Sequence, residues 1–167
     1  YDFGSFAYDK CKIIVAIHTQ SPDIAMGVNA SLERKTEGGD EADQLGAGDQ
    51  GMMFGYACRE TKELMPLTLS LSHRLAKRLT DVRKNGVLNY LRPDGKTQVT
   101  VEYHDGVAKR VDTVVVSTQH DDKVSQAQIR EDMKKYVIDE IIPASLMDEK
   151  TKIYVNPTGR FEIGGPE

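Results

Sequence analysis

Three short segments of the 167-residue sequence combine residue types that could bind a phosphorylated ligand. The first, GAGDQG at residues 46–51, is the densest in glycine, and glycines allow a backbone to approach a ligand closely. Asp49 in this segment could accept a hydrogen bond from an amine or a hydroxyl group. The glycine spacing matches neither a P-loop nor a dinucleotide-binding fingerprint. A bulged entry into a strand explains the same residues equally well.

The second and third segments are Asp94-Gly95-Lys96 and Arg160-Phe161. Lys96 could contact a phosphate as a point charge, and Asp94 could bind a polar group of the ligand. Arg160 offers a planar guanidinium fork for phosphate oxygens, and the ring of Phe161 could stack on a base. The alternatives are an ordinary exposed turn for the former segment and a core phenylalanine beside a surface arginine for the latter.

The cysteines and histidines form no recognisable catalytic or metal-binding pattern in the sequence. Cys11 and Cys58 lie outside any Cys-x-x-Cys or Cys/His ligand spacing, so we expect two reduced structural thiols in a cytoplasmic protein. No histidine has a carboxylate or a nucleophile beside it in a catalytic arrangement. We therefore predict structural roles for His18, His73, His104 and His120.

The bulk composition argues against several classes of partner. The 22 Lys plus Arg and 26 Asp plus Glu give a net charge of −4, which disfavours binding of nucleic acid or an anionic membrane through overall charge. No apolar run approaches the roughly 18 residues of a membrane helix. The sequence starts without Met and stops in a glycine-proline run, so both ends look cut. We expect a soluble, cytoplasmic protein with no nucleic-acid or membrane partner.

The first third of the chain predicts two strands separated by a long polar segment. Residues 12–19 are a β-branched apolar run typical of a strand buried on both faces, and residues 52–57 predict a second, short strand. Residues 20–51 are rich in Gly, Asp, Glu, Ala and Ser. Because structureless loops of this length are usually functional lids or disordered linkers, we expect a lid or linker, most mobile at residues 38–41.

The rest of the chain predicts helices among paired strands. A leucine at every fourth residue from Leu67 predicts a helix that stops at Asn85-Gly86, and residues 92–95 predict a turn. Alternating side chains at residues 98–103 and 107–118 predict a hairpin. The remaining signals are a capping box, a helix stop and two short strands, at Ser125 and Gln128, Pro143, and residues 152–155 and 161–163. This order favours a two-layer α+β fold with a mainly antiparallel or mixed sheet and helices on one face.

Several segments spread along the chain are informative about the protein family only when they are taken together. They are QSPDI at 20–24, GAGDQGMMFGY at 46–56, VRKNG at 82–86, LRPDGK at 91–96, STQH at 117–120, and NPTGRF at 156–161 followed by Gly165-Pro166. In this order they closely resemble the S-adenosylmethionine synthetase (methionine adenosyltransferase) family. Each segment alone is weak, but together they are highly specific and cover nearly the whole chain.

The resemblance implies an intact enzyme of three similar α+β domains, of which this chain covers a part. Residues 1–44 resemble the end of the first sequence segment, and residues 45–167 resemble the central domain. The family's His-Pro-Asp-Lys motif, with the catalytic histidine and a Mg²⁺-binding aspartate, and its triphosphate loop do not occur in these residues. The resemblance thus assigns no catalytic residue or metal ligand to this chain, and we expect the chain to be inactive alone.

The resemblance also implies a role for each candidate residue. Gln20 and Asp49 resemble methionine-binding residues. Phe161 is expected to stack on adenine, with Arg160 and Lys96 near ribose or phosphates. The implied ATP-binding set is Asp94, Gly95, Lys96, Arg160 and Phe161. The implied gating loop covers about residues 21–44 and includes Ser21, Pro22, Asp23, Ile24, Gly38 and Gly39.

In the reaction of this family, the sulfur of L-methionine attacks C5′ of ATP and displaces the whole triphosphate, which is then hydrolysed to phosphate and diphosphate. The resemblance implies ATP and L-methionine as substrates and Mg²⁺ and K⁺ as cofactors of the intact enzyme. It also implies a homodimer or a dimer of dimers, with active sites between subunits. The alternative is a non-enzymatic nucleotide-binding or assembly module with the same fold.

Overall fold

The computed structural model describes residues 8–36, 38 and 40–164. The chain divides into two compact units, residues 2–55 and residues 56–167, which we call the N-terminal unit and the C-terminal unit. Within the described ranges, no helix is both long enough and apolar enough to cross a membrane.

The long polar segment of the N-terminal unit contains regular structure. Helix α1 spans Pro22–Val28 and helix α2 spans Leu32–Thr36. Pro22 suits the first turn because its missing N–H would have no partner in the helix there. The segment also folds back on itself, since Ser31 N–H donates to Gln44 O at 3.2 Å. The prediction of a stretch without secondary structure is therefore wrong for these helical residues.

The two strands predicted in the first third of the chain do not form. Residues 12–19 and 52–57 carry no strand, and most of their side chains are exposed. Ile14 is 79% exposed and Phe54 is 90% exposed. An apolar run becomes a strand only when a neighbouring strand pairs with its backbone and another layer covers its side chains. Neither segment has such a pairing partner in the described part of the chain.

The predicted leucine helix forms in the C-terminal unit. Helix α3 spans Leu67–Lys84, and Asn85 is its C-cap residue, which agrees with the predicted stop at Asn85-Gly86. Pro66 lies at the N-cap position. The buried stripe of this helix consists of Leu71, Leu75, Leu79 and Val82. The period of four therefore marks the face of the helix that enters the core.

Strands β1, Leu91–His104, and β2, Val107–His120, form the antiparallel hairpin that the sequence predicts. Asp105 and Gly106 have φ of 51° and 76°, the left-handed values that a two-residue hairpin turn favours. The predicted turn at residues 92–95 is wrong, because these residues belong to β1. The register against β2 shifts within this stretch, so the Pro-Asp-Gly chemistry produces a strand irregularity instead of a reversal.

The second predicted helix begins at its capping box, where Ser125 Oγ accepts the Gln128 N–H at 3.2 Å. It continues as helix α4, a π-helical stretch and helix α5, at Gln126–Met133, Lys134–Ile138 and Asp139–Ile141. A 3₁₀ turn at Ala144–Leu146 and strand β3 at Lys152–Val155 follow. The strand predicted at residues 161–163 does not form.

One mixed sheet organises the C-terminal unit, with the order β1-β2-β3 and with β3 parallel to β2. Helices α3 and α4 share a hydrophobic core with this sheet. Leu75, Val114 and Ile129 are completely buried in the core, and each such side chain contributes roughly 1.5–3 kcal/mol by leaving water. The predicted α+β class with a mixed sheet is confirmed.

Candidate functional site

Two of the candidate ligand-binding segments meet at one end of the sheet. The start of β1 pairs with the end of β2, with Gly95 opposite Thr118. Residues 156–164 pack against the same end of β2, where His120 N–H donates to Phe161 O at 3.0 Å. The segment that begins β1 and the segment that follows β3 are therefore neighbours in the fold.

The turn after β3 is held by a buried side chain, Asn156, whose φ is 44°. Its Oδ1 accepts the Thr118 N–H at 2.8 Å, and its Nδ2 donates to Thr118 O at 3.1 Å. The side-chain amide thus takes the place of a backbone partner beyond the end of β3. Gly159 N–H donates to Asn156 O at 2.8 Å and closes a tight turn. This turn delivers Arg160 and Phe161 to the end of β2.

The backbone of Phe161 is bonded on both sides to His120. Phe161 N–H donates to His120 Nε2 at 3.2 Å, in addition to the bond that Phe161 O accepts from the His120 N–H. His120 Nδ1 lies 2.7 Å from Asp121 O, and because a carbonyl only accepts, the ring proton is on Nδ1. The single lone pair of Nε2 is then the acceptor that the Phe161 N–H at 3.2 Å and the Gln126 amide at 3.0 Å share.

The side chain of Gln119, which is 3% exposed, connects β1 to the segment after Phe161. Its Oε1 accepts the Asp94 N–H at 3.4 Å. Its Nε2 donates to Glu162 O at 3.0 Å and to Gly164 O at 3.3 Å. A buried amide whose donor and acceptor are both used fixes its partners firmly, because an unpaired buried group would be costly.

The ring of Phe161 and the carboxylate of Asp94 approach each other across Gly164. A Cβ atom added to Gly164 would lie 2.6 Å from Phe161 Cε2 and 3.0 Å from Asp94 Oδ2. The first distance is far below a van der Waals contact, so a larger residue would displace the ring. Phe161 and Asp94 are both partly buried. The arrangement offers a flat ring for stacking and an adjacent acceptor for a hydroxyl or amine.

Close packing against α3 sets the position of the start of β1. A Cβ atom added to Gly95 would lie 2.6 Å from Leu79 Cδ2. Two residues further along the strand, Thr97 Oγ1 donates to Ser72 O at 2.7 Å. Gly95 therefore has a packing role in addition to the ligand-binding role that the resemblance implies.

Positive charge at this end of the sheet comes from exposed side chains. Lys96 is exposed, and the side chain of Arg160 is 77% exposed with its Nη1 3.9 Å from Glu162 Oε2. Exposed ion pairs contribute at most about 1 kcal/mol, so Glu162 holds Arg160 only weakly. Arg92, which sequence reasoning did not select, lies at the start of β1 with Nη2 3.5 Å from Asp121 Oδ2.

The candidate methionine-binding and gating residues belong to the N-terminal unit. Gln20 precedes α1 and is exposed. Asp49 is also exposed, and its Oδ1 accepts the Gln50 N–H at 2.7 Å. The N-cap and first turn of α1 consist of Ser21, Pro22, Asp23 and Ile24. Gly38 has a left-handed φ of 68°, whereas Gly39 lies outside the described residues.

A metal site requires several ligating side chains close together. Among residues 8–36, 38 and 40–164, no three His, Cys, Asp or Glu side chains are grouped so that they could hold a metal ion. These described residues therefore supply no three-side-chain site for Mg²⁺ on their own. Cys11 and Cys58 are both free thiols. The Gly165-Pro166 end of the last motif lies outside the described residues.

Three residues hold this end of the sheet together, namely Gln119, His120 and Asn156; the sequence predicts a structural role for His120 but no role of their own for the other two. All three are buried and polar. The signal that could have found them is the change from the apolar run at residues 114–116 to the polar run at residues 117–120, within a strand that stays buried. Buried polar side chains need partners, so such a run predicts a hydrogen-bonded junction.

Comparison with known proteins identifies the family of this chain. The model described as "S-adenosylmethionine synthetase, central domain" matches residues 44–161. The chain belongs to the S-adenosylmethionine synthetase family. The S-adenosylmethionine synthase of Clostridium tetani (strain Massachusetts / E88) is 57% identical over 167 residues, which cover 100% of this chain and 42% of the relative. The S-adenosylmethionine synthase of Roseiflexus castenholzii (strain DSM 13941 / HLO8) is 60% identical over 164 residues, 96% of this chain and 40% of the relative.

The resemblance to the S-adenosylmethionine synthetase family that the motifs predict is thus confirmed. The chain spans about two fifths of the length of the curated relatives that it matches. The region matched by the synthetase central domain contains the start of β1, the end of β2 and the turn through Phe161. Asp94 and Phe161 therefore lie inside the family region, whereas Glu162 and Gly164 lie just beyond it.

Proposed function

We propose that this chain is part of an enzyme that makes S-adenosylmethionine from ATP and L-methionine, and that the junction of β1, β2 and residues 156–164 binds ATP. The names of the two relatives support the activity. The observation that carries the ATP site is the approach of the Phe161 ring and the Asp94 carboxylate across Gly164. In this proposal Phe161 stacks on adenine, and Asp94 accepts a hydrogen bond from a polar group of the nucleoside.

The reaction explains why cations belong beside this junction. The sulfur of L-methionine forms a bond to C5′ of ATP while the bond from C5′ to the triphosphate oxygen breaks. Negative charge grows on the departing triphosphate, and positive groups already in position lower the barrier. The exposed side chains of Lys96 and Arg160 are proposed to contact ribose or phosphates, next to Gly95.

The N-terminal unit is proposed to serve the second substrate. Gln20 and Asp49 would bind L-methionine, and residues of about 21–44 would gate access and exclude water during the displacement. Both candidate methionine-binding side chains are exposed in the structure, which leaves them accessible to a ligand.

Titration of ATP into the chain, followed through its amide NMR spectrum, tests the ATP site. The Phe161→Ala variant should bind ATP roughly two- to tenfold more weakly, because aromatic stacking contributes about 0.5–1.5 kcal/mol beyond buried area. Tyr154→Ala is the matched control, since Tyr154 is an exposed aromatic residue on β3 of the same unit. The site is contradicted if folded Phe161→Ala binds as tightly as the unmodified chain, or if Tyr154→Ala loses as much affinity.

The proposal extends to turnover and assembly. We propose that the intact synthase acts as a homodimer or a dimer of dimers and that residues 1–167 alone do not catalyse the reaction. Incubation of the chain with ATP and L-methionine should yield no S-adenosylmethionine, whereas formation at the rate of an intact synthase would contradict this expectation. A non-enzymatic module would bind ATP but give no product even within the complete protein.

A further inference from the structure

A pair of consecutive buried residues, Gln119 and His120, holds both halves of the proposed ATP site. They are 3% and 2% exposed, so neither side chain is available as a direct ligand contact. Their hydrogen bonds instead end on the residues that would touch the nucleotide.

His120 fixes the backbone of Phe161 through the two bonds given above, to its N–H and to its carbonyl oxygen. Phe161 lies outside any strand, so these two bonds take the place of a sheet ladder. The acceptor role of Nε2 depends on the proton of Nδ1, which is donated to Asp121 O with an N···O distance of 2.7 Å. Asp121 is itself fixed, because its N–H donates to Tyr90 O at 2.9 Å.

Gln119 fixes the other half of the site. One end of its amide accepts from the backbone of Asp94, and the other end donates to the carbonyls of Glu162 and Gly164. Gly164 is the residue across which the Asp94 carboxylate and the Phe161 ring approach each other. A single side chain therefore sets the separation between the proposed acceptor and the proposed stacking surface.

We propose that Gln119 and His120 are positioning residues that preorganise Phe161 and Asp94 for the adenosine part of ATP. This inference rests on the proposed ATP site and goes beyond it, because it assigns affinity to two residues that do not touch the ligand. The physical reason is that a site already ordered before binding loses less conformational freedom when the ligand arrives. A purely structural role would instead affect folding without discriminating between ligands.

Two substitutions of His120 distinguish the hydrogen bond that Nδ1 donates from the acceptor role of Nε2. His120→Asn keeps a donor near the position of Nδ1 but has no acceptor at Nε2, whereas His120→Gln reaches the Nε2 position with an amide oxygen. In the 167-residue chain, His120→Asn should weaken binding of ATP and of adenosine by a similar factor, no larger than the roughly two- to tenfold loss expected for Phe161→Ala, by releasing the stacking residue. His120→Gln should restore most of that affinity. Binding of inorganic tripolyphosphate, which has no base to stack, should be unchanged in both.

A variant of Gln119 gives an independent test if His120→Asn does not fold. Gln119→Glu keeps an acceptor for Asp94 but places a carboxylate oxygen against the carbonyls of Glu162 and Gly164. It should also weaken ATP and adenosine and spare tripolyphosphate. Thermal unfolding of each variant identifies the folded fraction to which the affinities refer.

The outcomes distinguish this inference from the proposal on which it rests. If Phe161→Ala weakens ATP binding while folded His120→Asn and Gln119→Glu do not, the ATP site stands and the positioning role is wrong. If the variants lower the melting temperature and weaken all three ligands equally, the residues are structural and the positioning role is again wrong. If the unmodified chain and Phe161→Ala bind ATP and adenosine equally, both proposals fail.

Discussion

The two units of the chain treat apolar side chains in opposite ways. In the C-terminal unit, Leu75 and Val114 are completely buried. In the N-terminal unit, Ile17 is 88% exposed and Met53 is 96% exposed, and Ser31 is the one buried residue among those described there. The apolar run at residues 13–17 reads much like the valine run in β2, yet only the latter is a strand. Local hydrophobicity thus needs a pairing partner before it determines structure.

The two units also differ in the hydrogen bonds that stabilise them. The N-terminal unit is held by bonds within a short polar segment, where Ser31 Oγ accepts the Arg34 N–H at 3.1 Å and donates to Asp43 O. The C-terminal unit contains a ladder of backbone hydrogen bonds between strands, a hydrophobic core and buried side-chain amides such as that of Asn156. We expect the stability of the chain to reside mainly in the C-terminal unit.

Amide hydrogen exchange should give the largest contrast between the units. Amides in the cores of α3 and β2, such as those of Leu75 and Val114, should exchange at least about a thousandfold more slowly than those of residues 13–17, because they open only with the global unfolding of the unit. Exchange followed by NMR or mass spectrometry measures this ratio. Equal protection in the two regions would refute the contrast drawn from burial.

Truncation of one apolar side chain in each unit should repeat the contrast in free energy. Leu75→Ala should lower the free energy of unfolding by about 2–5 kcal/mol, because it leaves a cavity in a core position that is 0% exposed. Ile14→Ala, at a position that is 79% exposed, should change it by less than about 0.5 kcal/mol. Urea unfolding monitored by circular dichroism measures both, and similar losses would show that residue 14 packs more than its exposure indicates.

Substitution of one glycine in each unit tests the same difference in packing, with a smaller expected change in the free energy of unfolding. Gly95→Ala should destabilise the chain by about 1–2 kcal/mol, because the new methyl group would meet Leu79 Cδ2 at 2.6 Å. Gly51→Ala meets no atom within 4 Å and should be neutral or slightly stabilising. The packing explanation also requires that Leu79→Ala recover part of the loss in the double variant. A loss of the same size in Gly51→Ala would point to backbone flexibility instead.

The smallest expected effect is a pH dependence that arises from an ion pair in the C-terminal unit. Arg110 binds Asp148 through two hydrogen bonds, Nε to Oδ2 at 2.8 Å and Nη2 to Oδ1 at 2.9 Å. These bonds lower the pKa of Asp148 from its ordinary 3.8 to about 2. Since the folded state has the lower pKa, the stabilisation is complete above about pH 4 and is lost as the pH falls toward 2. The free energy of unfolding should therefore fall across this window.

Arg110→Gln should flatten that fall, as measured by urea unfolding at several pH values. Lys84→Gln removes the same charge from an exposed position at the end of α3 and is the matched control. A fall that is equally steep in Arg110→Gln and in the control would mean that other carboxylates govern the acid transition.

The parts of the fold that the sequence predicts are those with local causes. The leucine period of α3, the Asp105-Gly106 turn and the Ser125 cap each depend on residues a few positions apart. Residues 12–19 failed as a strand because pairing depends on a distant partner. The turn predicted at residues 92–95 does not form, because a Pro-Asp-Gly sequence also suits an irregular strand that pairs with β2.

The residues of the candidate site likewise divide into those that residue type predicts and those that depend on contacts between distant segments. Residue type alone selected Asp94 and Phe161, since a carboxylate and an aromatic ring have recognisable chemistry. Their approach across Gly164 depends on Gln119 and His120, whose bonds connect segments far apart in sequence. The polar run at residues 117–120 indicates a junction but not its distant partners, so the residues that hold the site were assigned no ligand-related role until the fold was known.

The parallel pairing of β3 with β2 has a consequence for the order of folding. The β1–β2 hairpin closes over a two-residue turn, whereas the pairing of residues 113–116 with residues 152–155 requires the intervening segment to cross over. Contacts that close a longer stretch of chain are expected to form later. Phe161 follows β3, so the junction proposed to bind ATP is completed in that late docking event. We expect partly folded molecules to keep the hairpin while they lack this junction.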